Sequence, residues 1–180
     1  AAHGYFIDQF IQNNVNERTD AYGCQSFEDR CRLLFDVLEA AVGIMGPGRV
    51  ACKLGPYVKY NGAASDDTDS IFAYAVEELN KFPLAYLSFQ EPLFDTPVPE
   101  TVKRRYRELY KGCLLGNGGY VPTTAAQAIV DGHYDLISFG RWFLSNPDLP
   151  ERIRRGSKLN MYDRTTFYRS TYRGGCYEGY

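Results

Sequence analysis

Two short apolar runs that end in glycine carry the most chemistry in this chain. Leu114-Leu115 leads into Gly116-Asn117-Gly118-Gly119-Tyr120, and residues 122–132 then read as a helix. Further on, residues 136–139 lead into Gly140-Arg141 and a second short helix. Glycine lets the backbone approach a ligand closely, and a helix start leaves N–H groups without intrahelical partners. Arginine adds a planar fork of donors that matches an anion. Strand, glycine loop and helix, repeated on consecutive parallel strands, would converge on one anion, best matched by a phosphate. In a (β/α)8 barrel the loops after the last two strands commonly form such a site.

Four other places offer charged or polar groups to weigh. Lys53 sits between Cys52 and Leu54 near the C-terminal end of a short strand. A charge in an apolar strand is costly unless paired. At that end of a barrel strand it faces the mouth where active sites lie, so a functional role is the expectation. The plainer alternative is a snorkelling strand-end lysine. His3-Gly4-Tyr5 puts an imidazole and a phenol two residues apart on an opening loop, suited to hydrogen bonding and proton donation to a small ligand. Taken alone, a histidine this near the start reads as solvated. Asn16-Glu17-Arg18-Thr19-Asp20-Ala21-Tyr22-Gly23 reads as a surface turn stitched by an Arg18–carboxylate pair. The basic run Lys103-Arg104-Arg105-Tyr106-Arg107 reads as a solvated helix face.

The elements that must hold these residues alternate along the chain. Residues 26–45 read as a helix with Leu34, Leu38, Ala41 and Met45 on one face, and Ser26 with Asp29 resembles a capping box. Gly46-Pro47-Gly48 ends it. Residues 50–54 form a buried strand, 68–82 a helix, 84–89 a strand, 100–110 a helix, 113–116 a strand, 122–132 a helix and 136–139 a strand. The tail over residues 147–168 reads as two short helices. Four strands alternating with amphipathic helices predict a parallel sheet with covered strands. A closed barrel takes eight strands and about 250 residues, so this pattern supplies roughly half of one.

Composition narrows the function classes. With 180 residues, 44% hydrophobic and 15% aromatic, the chain can bury one substantial core. A net charge of −2 gives no reason to expect nucleic acid or a membrane surface as partner. No apolar run reaches the length of a membrane span. Cys24, Cys31, Cys52, Cys113 and Cys176 show no CxxC spacing and read as reduced thiols of a cytoplasmic protein, two of them buried in strands. With His3 and His133 the only histidines, a His/Cys zinc site is not expected.

Taken together, these segments resemble the old yellow enzyme family, and most closely its 12-oxophytodienoate-reductase-like branch. The matching runs are His3-Gly4-Tyr5-Phe6-Ile7-Asp8-Gln9-Phe10, Asn16-Glu17-Arg18-Thr19-Asp20 with Tyr22-Gly23, and residues 26–32. Gly118-Gly119-Tyr120 and Phe139-Gly140-Arg141-Trp142-Phe143-Leu144-Ser145-Asn146-Pro147-Asp148-Leu149 follow. Leu159-Asn160, Tyr162-Asp163-Arg164, Thr166-Phe167-Tyr168 and Gly179-Tyr180 complete the series. The match runs in order through essentially the whole chain and covers the C-terminal half of the family's TIM barrel.

That resemblance implies a flavin enzyme. Members bind FMN at the barrel mouth, take hydride from NADPH and reduce a C=C bond activated by a carbonyl or nitro group, enones of the 12-oxophytodienoate type included. Carried over by position, Tyr5 matches the tyrosine that protonates the substrate's α-carbon. His3 matches one of two residues that hydrogen-bond the activating oxygen. Gly118, Gly119, Gly140 and Arg141 match the FMN phosphate cradle, and Tyr180 a tail tyrosine near the substrate pocket. Lys53 stands where the family usually has Arg beside the flavin N1/O2 edge, which keeps the charge and loses the planar fork. Cys24-Gln25 replaces a single glycine before Ser26. The expected partners are the enone and NADPH, with self-association or an N-terminal half-barrel completing the sheet. Two alternatives stand beside this: a truncated, catalytically incompetent half-barrel, and a different phosphate-binding barrel enzyme such as an isomerase. The glycine loops alone allow the second; the His3-Gly4-Tyr5 and 16–23 segments weigh against it.

Overall fold

The structure, a computed structural model, describes residues 1–92 and 98–167. Its longest helix, α2 (Phe27–Met45), follows a short opening helix, α1 (Phe6–Ile11). Ser26 caps α2 by accepting the Asp29 N–H at 3.0 Å, and its hydroxyl donates to the Asp29 carboxylate. Burial of Arg30, Cys31, Leu34 and Leu38 follows the helical repeat, and Gly46 at φ +86° stops the helix. Three βα units follow: β1 (Ala51–Leu54), α3 (Thr68–Glu78), β2 (Tyr86–Gln90), α4 (Glu100–Leu109), β3 (Leu114–Asn117) and α5 (Pro122–Val130), with β4 (Leu136–Ser138) last.

The four strands form one parallel sheet in the order β1-β2-β3-β4. Register divides it into two unlike faces. Cys52, Leu87 and Leu114 share one row and Leu54 and Phe89 the next, all at most 5% exposed. These rows pack on the helices: the Phe89 ring stacks on Tyr106 of α4 at 4.7 Å and 8°. Phe72, Ile71, Val76 and Leu79 fill the space behind them. The opposite face carries Lys53, Ser88, Leu115 and Leu136 in one row, then Gln90, Asn117 and Ser138 at the strands' carboxyl ends. Leu136 and Tyr86 on this face are 49% and 38% exposed. In a closed barrel this is the side that turns inward.

Two compact units are distinguishable, Ala1–Ser138 and a second beginning at Phe139. The second contains α6 (Arg141–Ser145), α7 (Leu149–Arg155) and a 3-10 turn at Arg164–Thr166. Its hub is the fully buried Asn146, whose amide donates to Trp142 O and Asn160 O and accepts the Asn160 N–H.

Three expectations need adjustment. The opening segment is not all loop: residues 6–11 are helical, too few turns for a periodic pattern to emerge. Cys31 lies in α2 and Cys52 in β1, both buried, while Cys113 is half-buried just before β3. The basic run of α4 is not uniformly solvated: Arg104 and Arg105 are exposed, but the Lys103 side chain is 10% exposed and paired with Glu91 and Glu100.

Candidate active site

The carboxyl ends of the strands bring together side chains from all four. Lys53 Nζ donates across the sheet to Asn117 Oδ1 at 3.1 Å. The Asn117 amide nitrogen in turn donates to Ser138 Oγ at 2.8 Å and Ser138 O at 3.2 Å. Gln90, between them in register, donates its amide to Glu91 O at 2.8 Å. Burial holds the Lys53 ammonium below its ordinary value. An ammonium has three donors and Asn117 takes one, so the group remains equipped to bind something electron-rich.

The N-terminal segment closes over the same end of the sheet. His3 and Gly4 are consecutive left-handed residues, at φ +63° and +65°. For a histidine this conformation is costly and marks a position that its surroundings over-determine. Asp8, fully buried in α1, accepts the Gly4 N–H at 2.8 Å; Asn61 donates to His3 O, and Tyr60 packs edge-on against the imidazole. Burial and the Lys53 charge pull the His3 imidazole below its usual value of 6.5, opposed by Gln90 and Asp8. That direction favours the neutral imidazole at pH 7, and its side chain is hydrogen-bonded to Gln90. Tyr5 heads α1 with its side chain 69% exposed, and its hydroxyl has no partner among the described residues.

Gly4 cannot be replaced cheaply. A Cβ there would collide with the Tyr60 carbonyl, and the left-handed backbone alone costs about 1–2 kcal/mol for any other residue. Gly4→Ala should lower the melting temperature and displace the His3 NMR resonances. An unchanged His3 spectrum would show that Gly4 does not set this loop.

Behind the glycine loop lies a buried charge that sequence reasoning missed. The Glu91 carboxylate accepts the Tyr120 and Tyr134 hydroxyls and pairs with Lys103 Nζ at 3.3 Å. Its backbone N–H bonds Asn117 O at 2.7 Å, and a Cβ on Gly118, at φ +156°, would stand 3.0 Å from Glu91 Cβ. Burial first, and Glu91 next, push both tyrosines up, so they remain donors. Gly118 is half-buried against this node and Gly119 is exposed. The signal available for Gln90, Glu91 and Asn117 was the one used for Lys53: polar residues where an apolar strand ends.

The remaining candidates distribute as follows. Gly140 is the N-cap of α6, with no atom within 4 Å of where its Cβ would be, and the Arg141 guanidinium lies 5.8 Å from the Tyr162 ring centroid. Both belong to the second unit. Tyr180 lies outside the described residues. The 16–23 turn is stitched as expected, Arg18 Nε donating to Asp20 at 3.0 Å, while Asn16 holds Phe10 O and Tyr22 O. Cys24 donates its thiol to Asn16 O. Among the described residues no group of three or more His, Cys, Asp or Glu could hold a metal, and no helix is long and apolar enough to cross a membrane.

The sequence profile of the NADH:flavin oxidoreductase / NADH oxidase family matches residues 1–160. The chain belongs to this family. It is 39% identical to 12-oxophytodienoate reductase 2 of Arabidopsis thaliana over 174 residues, covering 94% of this chain and 46% of that protein. A putative 12-oxophytodienoate reductase 11 of Oryza sativa subsp. japonica is 40% identical, with 93% and 46% covered. Morphinone reductase superposes with a TM-score of 0.89 at 38% identity, over 94% of this chain and 46% of that one. An old yellow enzyme homologue from Zymomonas mobilis gives 0.88 at 35% identity, over 97% and 50%. The chain thus spans about half the length of these relatives, and its four parallel strands with their helices are half of an old yellow enzyme barrel.

Proposed function

We propose that this chain is the C-terminal half of the barrel domain of an FMN-dependent, NADPH-oxidising reductase of activated C=C bonds, acting on enones of the 12-oxophytodienoate type. The observation that carries the reading is the Lys53–Asn117–Ser138 hydrogen-bond chain at the strand ends with His3 set beside it. The donor set of the first unit fits FMN: a half-buried ammonium suits the electron-rich edge of a flavin ring, and the glycines at 118–119 suit the close approach of a phosphate. In the second unit, Gly140 at the head of α6 and Arg141 are residue types that suit a phosphate as well. When bound, FMN would supply the hydride that reaches the alkene's β-carbon.

The chain's own residues supply the rest. The His3 imidazole, exchanging its Gln90 contact, donates its N–H to the carbonyl oxygen, where negative charge builds. The Tyr5 O–H delivers a proton to the α-carbon, so the C=C bond becomes CH–CH. Lys53 holds a fixed positive charge at the strand ends, which favours electron-rich ligands. The free thiols, with Cys31 pushed up to about 12 and Cys52 to about 11 by burial, fit a reducing, cytoplasmic setting.

A second reading is kept by one observation. Within the described sheet β1 and β4 each pair with one neighbour, so the chain alone leaves two edges to be satisfied by a further half-barrel or by self-association. An incompetent half-barrel would show the same edges. Mixing the purified chain with FMN, then adding NADPH without oxygen, is the test. Binding followed by bleaching of the flavin absorbance is expected where the second half suffices. If FMN binds neither to this chain nor to the chain completed by an N-terminal half-barrel, the flavin reading is overturned.

A further inference from the structure

We propose that Asn117 is the positioning residue for the Lys53 ammonium, holding it at the mouth of the sheet through an amide whose orientation Ser138 sets. Lys53 and Asn117 stand on β1 and β3, with β2 between them, yet Nζ and Oδ1 are 3.1 Å apart. No other hydrogen bond or ion pair fixes Lys53 among the described residues. A lysine is a flexible stem with a point charge, and loses its place without an anchor. The anchor is itself directional. Asn117 Nδ2 donates to both Ser138 Oγ and Ser138 O, which leaves Oδ1 as the end turned to Lys53. Asn117 also lies immediately before Gly118, and its carbonyl accepts the Glu91 N–H at 2.7 Å. The ammonium is thereby tied to the strand that leads into the glycine loop. Resting on the functional reading above, Asn117 then sets where the cation meets the flavin.

His3 reports on Lys53 in the chain as it stands. The groups that act on its imidazole are Lys53 on β1, Gln90 on β2, Asp8 on α1 and the amino terminus, with Tyr60 against the ring. With two histidines in the chain, His3 and His133, the His3 Cε1–H resonance can be assigned by one His133→Gln variant. Removing a positive charge that sits near an imidazole raises its titration midpoint. Lys53→Met should therefore raise the His3 midpoint by roughly half a pH unit, from a screened charge several ångströms away.

Asn117→Ala should reproduce most of that rise, because the released ammonium swings into solvent. Asn117→Asp, nearly isosteric, should raise it as well by placing a carboxylate against the ammonium. A rise in Lys53→Met with none in Asn117→Ala would overturn the positioning role. No rise in Lys53→Met would overturn the Lys53–His3 arrangement on which it stands. If Asn117→Ala does not fold, Asn117→Asp decides: an unmoved midpoint would place Asn117 away from Lys53. In parallel, FMN affinity by fluorescence quenching should fall about tenfold in Asn117→Ala, the loss of one well-placed charge contact. Failure of the unmodified chain, alone or completed, to bind FMN would sink the functional reading while the His3 titration still judges Asn117.

Discussion

Replacing Tyr5 by Phe in an active enzyme containing this chain should slow reduction of an enone by about two to four orders of magnitude, the range for a positioned general acid. Reduction of the flavin by NADPH should stay within about twofold. The separation follows from where the hydroxyl is. The Tyr5 side chain is 69% exposed at the head of α1, and its hydroxyl has no partner among the described residues. Removing that oxygen therefore breaks nothing in the fold and takes away only a proton donor. The ring stays, and with it any contact to substrate. Stopped-flow measurement of each half-reaction, by flavin bleaching and by reoxidation with the enone, reads the two steps apart. Equal loss in both would show that Tyr5 acts through structure or cofactor binding. A loss in neither would remove it from the chemistry.

The second large effect is on stability. Glu91→Ala should cost about 3–5 kcal/mol, the usual result of removing one partner of a buried ion pair. The Glu91 and Lys103 side chains are each 10% exposed. Without the carboxylate, the ion-pair partner left to Lys103 is Glu100, whose side chain is 62% exposed, and the 6%-exposed Tyr134 loses the Glu91 acceptor for its hydroxyl. An unmade hydrogen bond at a buried donor costs more than the bond itself contributes. The conservative Glu91→Gln keeps an acceptor for the tyrosines and loses only the charge, so it should fall between wild type and Glu91→Ala. Urea titrations followed by circular dichroism give the ordering. A Glu91→Ala midpoint equal to wild type would show the node to be dispensable. Because Gly118 lies against Glu91, the same variant should also loosen the glycine loop.

Much of the frame was legible because it is local. The stripe of Leu34 and Leu38, the Ser26 cap and the Gly46 stop are relations between residues three or four apart, and they define α2 without reference to anything else. The strand boundaries moved by one or two residues: β2 starts at Tyr86, where pairing to β1 begins, although the apolar run starts earlier. Helix α1 was missed because six residues hold too little pattern, and because what stabilises its start is the contact of buried Asp8 with Gly4. Lys103 was misread for a related reason. Its neighbours in the sequence are charged, and only α4 docking beside β2 brings it to Glu91.

By itself the sequence determined the alternation of strands and helices, the parallel half-barrel, the glycine loops after β3 and β4, and the family whose residues these are. Each depends on periodicity, on turn chemistry or on residues in a fixed order, all of which survive in one dimension. Only the tertiary structure decided which polar groups meet. Lys53 finds Asn117 sixty-four positions away because parallel register aligns the carboxyl ends of β1, β2 and β3, and the lysine reaches across β2. His3 feels Lys53 because α1 folds the N-terminal segment over the sheet. Glu91 becomes a shared acceptor because Tyr120, Tyr134 and Lys103 approach it from the β3–α5 loop, the start of β4 and α4. Such meetings are set by packing and register over long separations, which no local spacing encodes.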